Sequence, residues 1–107
     1  MRYDEYPIPG LPVSYLAYDG DNKVGFMIVC LLNDEGAIVA YITTNRKYRR
    51  KGYATEMVQW LMKQSNYVKT GWSGSTQISR NMFVNIGFKK EGDWLVWRKQ
   101  DNSCGNK

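Results

Sequence analysis

The chain has 107 residues, of which 43% are hydrophobic and 23% charged, enough apolar material for one core in a single domain and too much for wholesale disorder. It contains no histidine, which excludes Ser–His–Asp and Cys–His catalysis within the chain and any His-ligated metal site. Net charge is +5, from 15 Lys+Arg against 10 Asp+Glu, which leaves nucleic acid, an acidic surface or a phosphorylated small molecule as partners.

Along the chain, residues 1–11 hold Pro7, Pro9 and Gly10 and read as irregular. From Pro12 to Tyr18, Val13, Tyr15 and Ala17 fall on one parity and Ser14, Leu16 and Tyr18 on the other, a strand pattern. Asp19-Gly20-Asp21-Asn22 predicts a tight hairpin turn. Val24 to Leu32 is a near-continuous β-favouring run, read as a central strand buried on both faces. Asn33-Asp34-Glu35-Gly36 is a second turn, and Ala37 to Thr44 a third strand. Three strands joined by short turns make an antiparallel meander.

The period then changes. Ala54, Met57, Val58, Leu61 and Met62 repeat at helical spacing and predict a helix of about 12–14 residues, starting at Gly52 and ending near Ser65-Asn66. Tyr67 to Trp72 is short and β-like, and Gly71 with Ser73, Gly74, Ser75 and Thr76 makes a polar loop. Ile78, Met82, Phe83 and Ile86 give a second amphipathic helix, with Gly87 placed as its left-handed cap. Phe88–Lys90 and Trp94–Arg98 flank a hairpin signal at Glu91-Gly92-Asp93. Residues 99–107 form a polar tail predicted to be disordered, after a single domain over 1–98. The order β-β-β-α-β-α-β(β) indicates an α+β domain: a mixed, mainly antiparallel sheet with two helices.

The two cysteines, Cys30 and Cys104, form no metal or redox motif. Cys30 reads as a buried thiol, and a bond to Cys104 is disfavoured without a secretory context. The N-terminus carries Asp4 and Glu5 early and no apolar core, unlike a signal peptide. The longest apolar stretch, Val24 to Leu32, is far short of the about 20 residues that span a bilayer. The expected setting is soluble, reducing and cytoplasmic, with no membrane partner.

The chemistry concentrates between the third strand and the first helix. Arg46, Lys47, Arg49, Arg50 and Lys51 are broken only by Tyr48, and Gly52, Tyr53, Ala54 and Thr55 follow. A helix start offers unpaired N–H groups and the positive end of a dipole. Gly52 lets the main chain approach a ligand, Ala54 leaves that approach clear, and the cations neutralise charge. Together they form a phosphate or pyrophosphate cradle. It is neither a Walker A loop nor a G-x-G-x-x-G turn.

Arg49, Gly52 and Ala54 stand in an R-x-x-G-x-A arrangement that resembles the signature of the GNAT family of N-acetyltransferases, in the same place between a strand and an amphipathic helix. Ser79 to Phe88, ending in Gly87-Phe88, resembles that family's later helix and the strand after it. The resemblance covers roughly residues 13–98. It implies the GNAT acyl-CoA N-acyltransferase fold, here without the family's usual N-terminal helices, and acetyl-CoA as cofactor. It places the pyrophosphate on Arg49, Arg50, Lys51, Gly52, Tyr53, Ala54 and Thr55. It places the pantetheine arm along Ile42, Thr43 and Thr44, with Ser79 and Phe83 nearby. The implied function is direct attack on the acetyl group by an amine acceptor, helped by positioning and by polarising N–H groups.

Two departures bear on catalysis. Many relatives have a Tyr four residues before the Gly of Gly-Phe, as acid toward the departing thiolate; here that residue is Phe83. Many carry a Glu as general base on the strand before the motif; Ala37 to Tyr41 holds no carboxylate, which leaves Tyr41 as the titratable catalytic candidate and a weak base. The short N-terminal region implies an acceptor cleft that is open, suiting a protein or peptide amine, or completed by a second subunit as a homodimer. The alternatives are a CoA- or partner-binding relative without turnover and, behind that, a small basic nucleic-acid module.

Overall fold

The structure, a computed structural model, describes residues 1–6, 9–10, 13–49, 51–72 and 77–99, with Ile78 as backbone only. The strands are β1 (Arg2–Glu5), β2 (Val13–Asp19), β3 (Asn22–Leu31), β4 (Gly36–Thr44), β5 (Tyr67–Gly71), β6 (Lys89–Glu91) and β7 (Trp94–Arg98). The helices are α1 (Tyr53–Lys63) and α2 (Gln77–Asn85). Among the described residues the strands form one seven-stranded sheet in the order β1-β2-β3-β4-β5-β7-β6. Every pairing is antiparallel except β4 with β5. That parallel pair needs a crossover, and α1 supplies it. The mixed, mainly antiparallel class holds, and the predicted order holds from β2 onward.

Three expectations change. Residues 2–5, read as irregular, pair with β2 from Arg2↔Tyr18 to Glu5↔Tyr15. The tertiary setting drives this: an available sheet edge and a ring stack on Tyr3 outweigh the nearby prolines. The central strand β3 is buried on one face only, with Met27 and Val29 inside and Phe26, Ile28 and Cys30 half-buried. Helix α1 is 11 residues, shorter than expected. It closes through N–H bonds from Gln64 to the Leu61 carbonyl and from Ser65 to the Met62 carbonyl, at 3.1 and 3.3 Å. The Ser73–Thr76 loop and residues 100–107, with Cys104, lie outside the described residues.

Both helices pack on the same sheet face. Register partners across a sheet share a face, so the rows Tyr3–Ala17–Gly25–Thr44, Tyr15–Met27–Ile42 and Val29–Val39–Thr70–Leu95 lie together. Trp60 of α1 stacks on Tyr3 with ring centroids 4.1 Å apart and meets Tyr15 edge-on at 5.0 Å. Met57, Val58 and Leu61 are buried beneath α1, each stabilising the fold by about 1.5–3 kcal/mol. Helix α2 ends in a Schellman motif. The Phe88 N–H reaches the Phe83 carbonyl at 3.0 Å and the Gly87 N–H the Val84 carbonyl at 3.1 Å. The Phe83 and Phe88 rings complete it at 4.9 Å, and Gly87 takes φ +110° as its sequence position predicts. No described helix covers the opposite face, whose rows are Leu16–Phe26–Thr43, Ser14–Ile28–Tyr41 and Ile38–Lys69–Val96.

Two consequences are measurable. A Cβ on Gly25 would fall 2.8 Å from both the Met57 sulfur and the Thr43 carbonyl oxygen. Gly25→Ala should therefore lower the unfolding free energy by about 1–3 kcal/mol in denaturant titration. Burial first, then the Glu56 charge, raises Tyr3 from 10.0 to about 12. A raised folded value stabilises below the unfolded one, so this contribution is complete below pH 10 and lost as pH climbs toward 12. The stability of Tyr3→Phe should fall less steeply than that of the parent across that window, by chemical denaturation at stepped pH.

Candidate functional site

The site begins with an interruption in the sheet. The pairing of β3 with β4 passes from Ile28↔Tyr41 to Val29↔Val39, so Ala40 is a bulge residue with no partner. The pairing of β4 with β5 runs only from Gly36↔Tyr67 to Val39↔Thr70. Past that point Tyr41, Ile42, Thr43 and Thr44 remain paired to β3 on one edge while their other edge has no described strand beside it. Main-chain donors and acceptors therefore line one side of a gap. The Thr70 hydroxyl donates to the Val39 carbonyl at 3.0 Å, closing the last paired position. Across the gap β5 continues with β7, through Gly71↔Trp94 and a bond from the Trp72 N–H to the Asp93 carbonyl at 2.8 Å. A Cβ on Gly71 would meet nothing within 4 Å among the described residues.

The open edge of β4 runs straight into the basic turn. The Asn45 N–H bonds the Val24 carbonyl at 2.8 Å and its side-chain amide the Lys23 carbonyl at 2.6 Å, pinning the turn to β3. A 3-10 turn follows over Arg46–Tyr48, and the Arg49 guanidinium donates from Nε to the Thr44 carbonyl at 3.3 Å. Arg46, Lys47, Arg49 and Lys51 are exposed, and among the described residues none is ion-paired.

Gly52 then opens α1 at φ +82°, a left-handed conformation that costs residues with a Cβ about 1–2 kcal/mol. No side chain caps this end, and the first-turn N–H groups of Tyr53, Ala54 and Thr55 have no intrahelical acceptor. A Cβ on Gly52 would meet nothing within 4 Å among the described residues, so the space beside this helix start is open. Tyr53 buttresses the helix start: its hydroxyl donates to the Asp19 carboxylate at 2.5 Å and its ring meets Tyr48 edge-on at 5.9 Å. The Asp19 hydrogen bond, with burial and nearby negative charge behind it, raises the Tyr53 phenol above its ordinary value.

The structure thus brings Ile42, Thr43, Thr44, Arg49, Lys51, Gly52, Tyr53, Ala54 and Thr55 into one continuous run around the gap and the helix start. Arg50 lies outside the described residues. Ser79 is half-buried in the first turn of α2. The next residue ties that helix to the end of β5, with Arg80 donating to the Trp72 carbonyl at 2.9 Å and stacking over its ring at 4.3 Å. Phe83 is placed otherwise than expected. It is 1% exposed, and its ring is committed to the helix-ending contact with Phe88. Tyr41 stands on the helix-free face, 53% exposed, with its ring 6.3 Å from that of Phe26.

Sequence reasoning missed Ala40, Thr70 and Gly71, which decide where the sheet parts. No residue pattern marks them, because Ala40 continues an ordinary strand sequence and a bulge is a property of pairing. The donor set offers a strand edge, a helix N-terminus and four unpaired cations, suited to an elongated ligand with a phosphorylated end.

Residues 12–90 match the family described as Acetyltransferase (GNAT) domain. No curated protein matches the sequence. Among solved structures, the chain resembles a GNAT family acetyltransferase from Elizabethkingia anophelis with acetyl-CoA bound, at TM-score 0.73 and 12% identity over 92% of this chain and 97% of that one. It also resembles the Bacillus subtilis acetyltransferase in complex with CoA, at TM-score 0.67 and 13% identity over 82% and 77%. A third likeness is the NatC complex bound to Gag peptide and CoA, at TM-score 0.65 and 12% identity over 81% and 71%. At these identities the likeness is one of fold, and several of the similar structures hold the same cofactor.

Gly52→Ala tests the local geometry without a ligand. It should reduce stability by about 1 kcal/mol, since its cost is conformational and not steric. Gly52→Asn should recover part of that loss in the same denaturant titration.

Proposed function

The chain belongs to the GNAT acetyltransferase family, and from that premise we propose that it transfers an acetyl group from acetyl-CoA to an amine acceptor. The observation that carries the reading is the juxtaposition of two features: β4 leaves β5 after Val39↔Thr70, and the freed edge leads into an uncapped helix start at a left-handed glycine. The residues present fit the cofactor, since the helix start is uncapped and a Cβ on Gly52 beside it would meet no described atom within 4 Å.

In this reading Lys51, Gly52, Tyr53, Ala54 and Thr55 hold the pyrophosphate through main-chain N–H groups and the helix dipole. Arg49 and Arg50 add positive charge, although the hold of Arg49 on the Thr44 carbonyl makes it also a brace for the turn. Ile42, Thr43 and Thr44 present alternating donors and acceptors to the pantetheine arm, as a neighbouring strand would. Ser79 borders the arm from the first turn of α2. Phe83 serves the site by fixing the end of α2.

The bound thioester supplies an activated acyl carbon. The chain holds the reactants in line and polarises the acyl oxygen with N–H groups near the bulge. The acceptor nitrogen bonds the acetyl carbon as that carbon's bond to sulfur breaks, the sulfur keeps the electron pair, and the proton shed by nitrogen balances the thiolate charge. We assign Tyr41, on the helix-free face just past the bulge, as a proton relay: its phenol oxygen takes the proton from nitrogen as its own proton passes to water. With Phe83 in the acid's position, proton delivery to sulfur falls to solvent.

Coenzyme A should raise the melting temperature by about 10 °C at about 100 times its dissociation constant, through preferential binding to the native state. Gly52→Glu should remove the shift by placing a carboxylate where phosphates sit. The affinity should weaken with ionic strength. Thiol release from acetyl-CoA with a panel of amines then tests turnover, and Tyr41→Phe should lower kcat more than it raises KM. A shift without thiol release would leave a CoA-binding protein without turnover. No shift would overturn the reading.

A further inference from the structure

The helix-free sheet face carries a groove of about 280 Å³ lined by Tyr67, Lys69, Glu91, Trp94, Val96 and Arg98. All six lie on one face by register, through Tyr67↔Arg98, Lys69↔Val96 and Glu91↔Trp94. The groove adjoins the gap. Lys69 immediately precedes Thr70, the last residue of β5 paired with β4. The next same-face position toward the gap is Gly71, about 7 Å further along the strand, which puts no side chain in the way.

The charges of the groove are unevenly committed. Arg98 and Glu91 hold each other through two hydrogen bonds, one of them 2.8 Å between Nη2 and Oε1. This hydrogen bond to Arg98 keeps the Glu91 carboxyl below its ordinary value, so it stays ionised and occupied. Tyr67 is turned away, its hydroxyl donating to the Asp34 carboxylate at 2.9 Å. Lys69 is half-buried, with its ammonium 4.5 Å from the Trp94 ring centroid. Among the described residues no carboxylate pairs with it. Trp94 is 36% exposed beside it, a flat apolar floor with a cation at its edge.

We propose that this groove is the acceptor subsite and that it selects an amine that also carries a carboxylate. The acid group pairs with Lys69, the carbon chain lies over Trp94 and Val96, and the amine passes Gly71 to reach the gap beside Tyr41. The spacing between Lys69 and the gap favours an acid separated from the amine by several bonds. The inference rests on the acetyltransferase reading for its role in catalysis, but the pocket chemistry can be tested apart from it.

The probes are 5-aminopentanoate and pentylamine, alike except for the carboxylate. In thiol-release kinetics with acetyl-CoA, the acid-bearing amine should have at least a tenfold higher kcat/KM. Lys69→Met should abolish that preference, Lys69→Arg should retain most of it, and Lys69→Glu should turn it toward 1,5-diaminopentane. The C-terminally amidated dipeptides Gly-Glu-NH2 and Gly-Gln-NH2, which differ only in the side-chain acid, should be separated in the same direction if the acid comes from a peptide; equal rates for these two with discrimination among the free amines would assign the subsite to small amino acids. NMR titration of the unliganded protein gives a readout free of turnover: 5-aminopentanoate should move the Trp94 indole resonance and pentylamine should not. If acetyl-CoA binds but both amines react equally and the indole does not discriminate, the subsite proposal falls and the acetyltransferase reading stands. If CoA does not bind yet the indole still discriminates, the pocket stands and the acetyltransferase reading falls.

Discussion

The unpaired residue Ala40 governs the rest of the structure. A bulge placed one position beyond Val39 bends β4 away from β5 just where their parallel pairing would otherwise continue. Continued pairing would satisfy the main-chain groups of Tyr41 to Thr44 within the sheet. The bulge instead leaves them facing a gap, and a buried or half-buried edge of that kind needs a partner. The Thr70 hydroxyl marks the boundary by taking the last carbonyl the sheet can satisfy. The anchored turn and the uncapped helix start beyond Thr44 supply more donors in the same direction.

The energetic burden of the fold falls on one side. Both helices bury their apolar stripes against a single sheet face, with Trp60 joining the N-terminal strand to α1 and Phe83 joining the end of α2 to the strand after it. Stability is thereby separated from the opposite face, which keeps half-buried aromatic and aliphatic residues and a charged groove. The gap connects the two sides. An uncapped helix start lies at its mouth, and the charged groove adjoins it on the helix-free face, so under the proposed transfer reaction the two substrates need not compete for one surface.

Phe83 shows how a sequence position can be read correctly for structure and differently for chemistry. Its spacing from Gly87 marks it as the residue that meets Phe88 when a helix ends in a Schellman motif. That packing duty consumes the whole side chain. A hydroxyl there would have to be accommodated in a core contact, which explains on physical grounds why an apolar ring is tolerated at a position the family often uses otherwise.

The sequence alone determined the order of elements from β2 onward, because alternation of period 2 changes to period 3.6 at Gly52 and the turns carry their own residues. It also located the uncapped start of α1 at Gly52, because Arg49, Gly52 and Ala54 are close neighbours in the chain and the pattern is local. Single-chain patterns are blind to pairing, so only the tertiary structure decided the rest. It decided that Arg2–Glu5 joins the sheet, that β3 is covered on one face, that Ala40 has no partner, and that Lys69, Trp94 and Glu91 meet in one groove. Each of these depends on which strand lies beside which, and in what register, a long-range choice made by the packing of Trp60, Met57 and Phe83 and by no local run of residues.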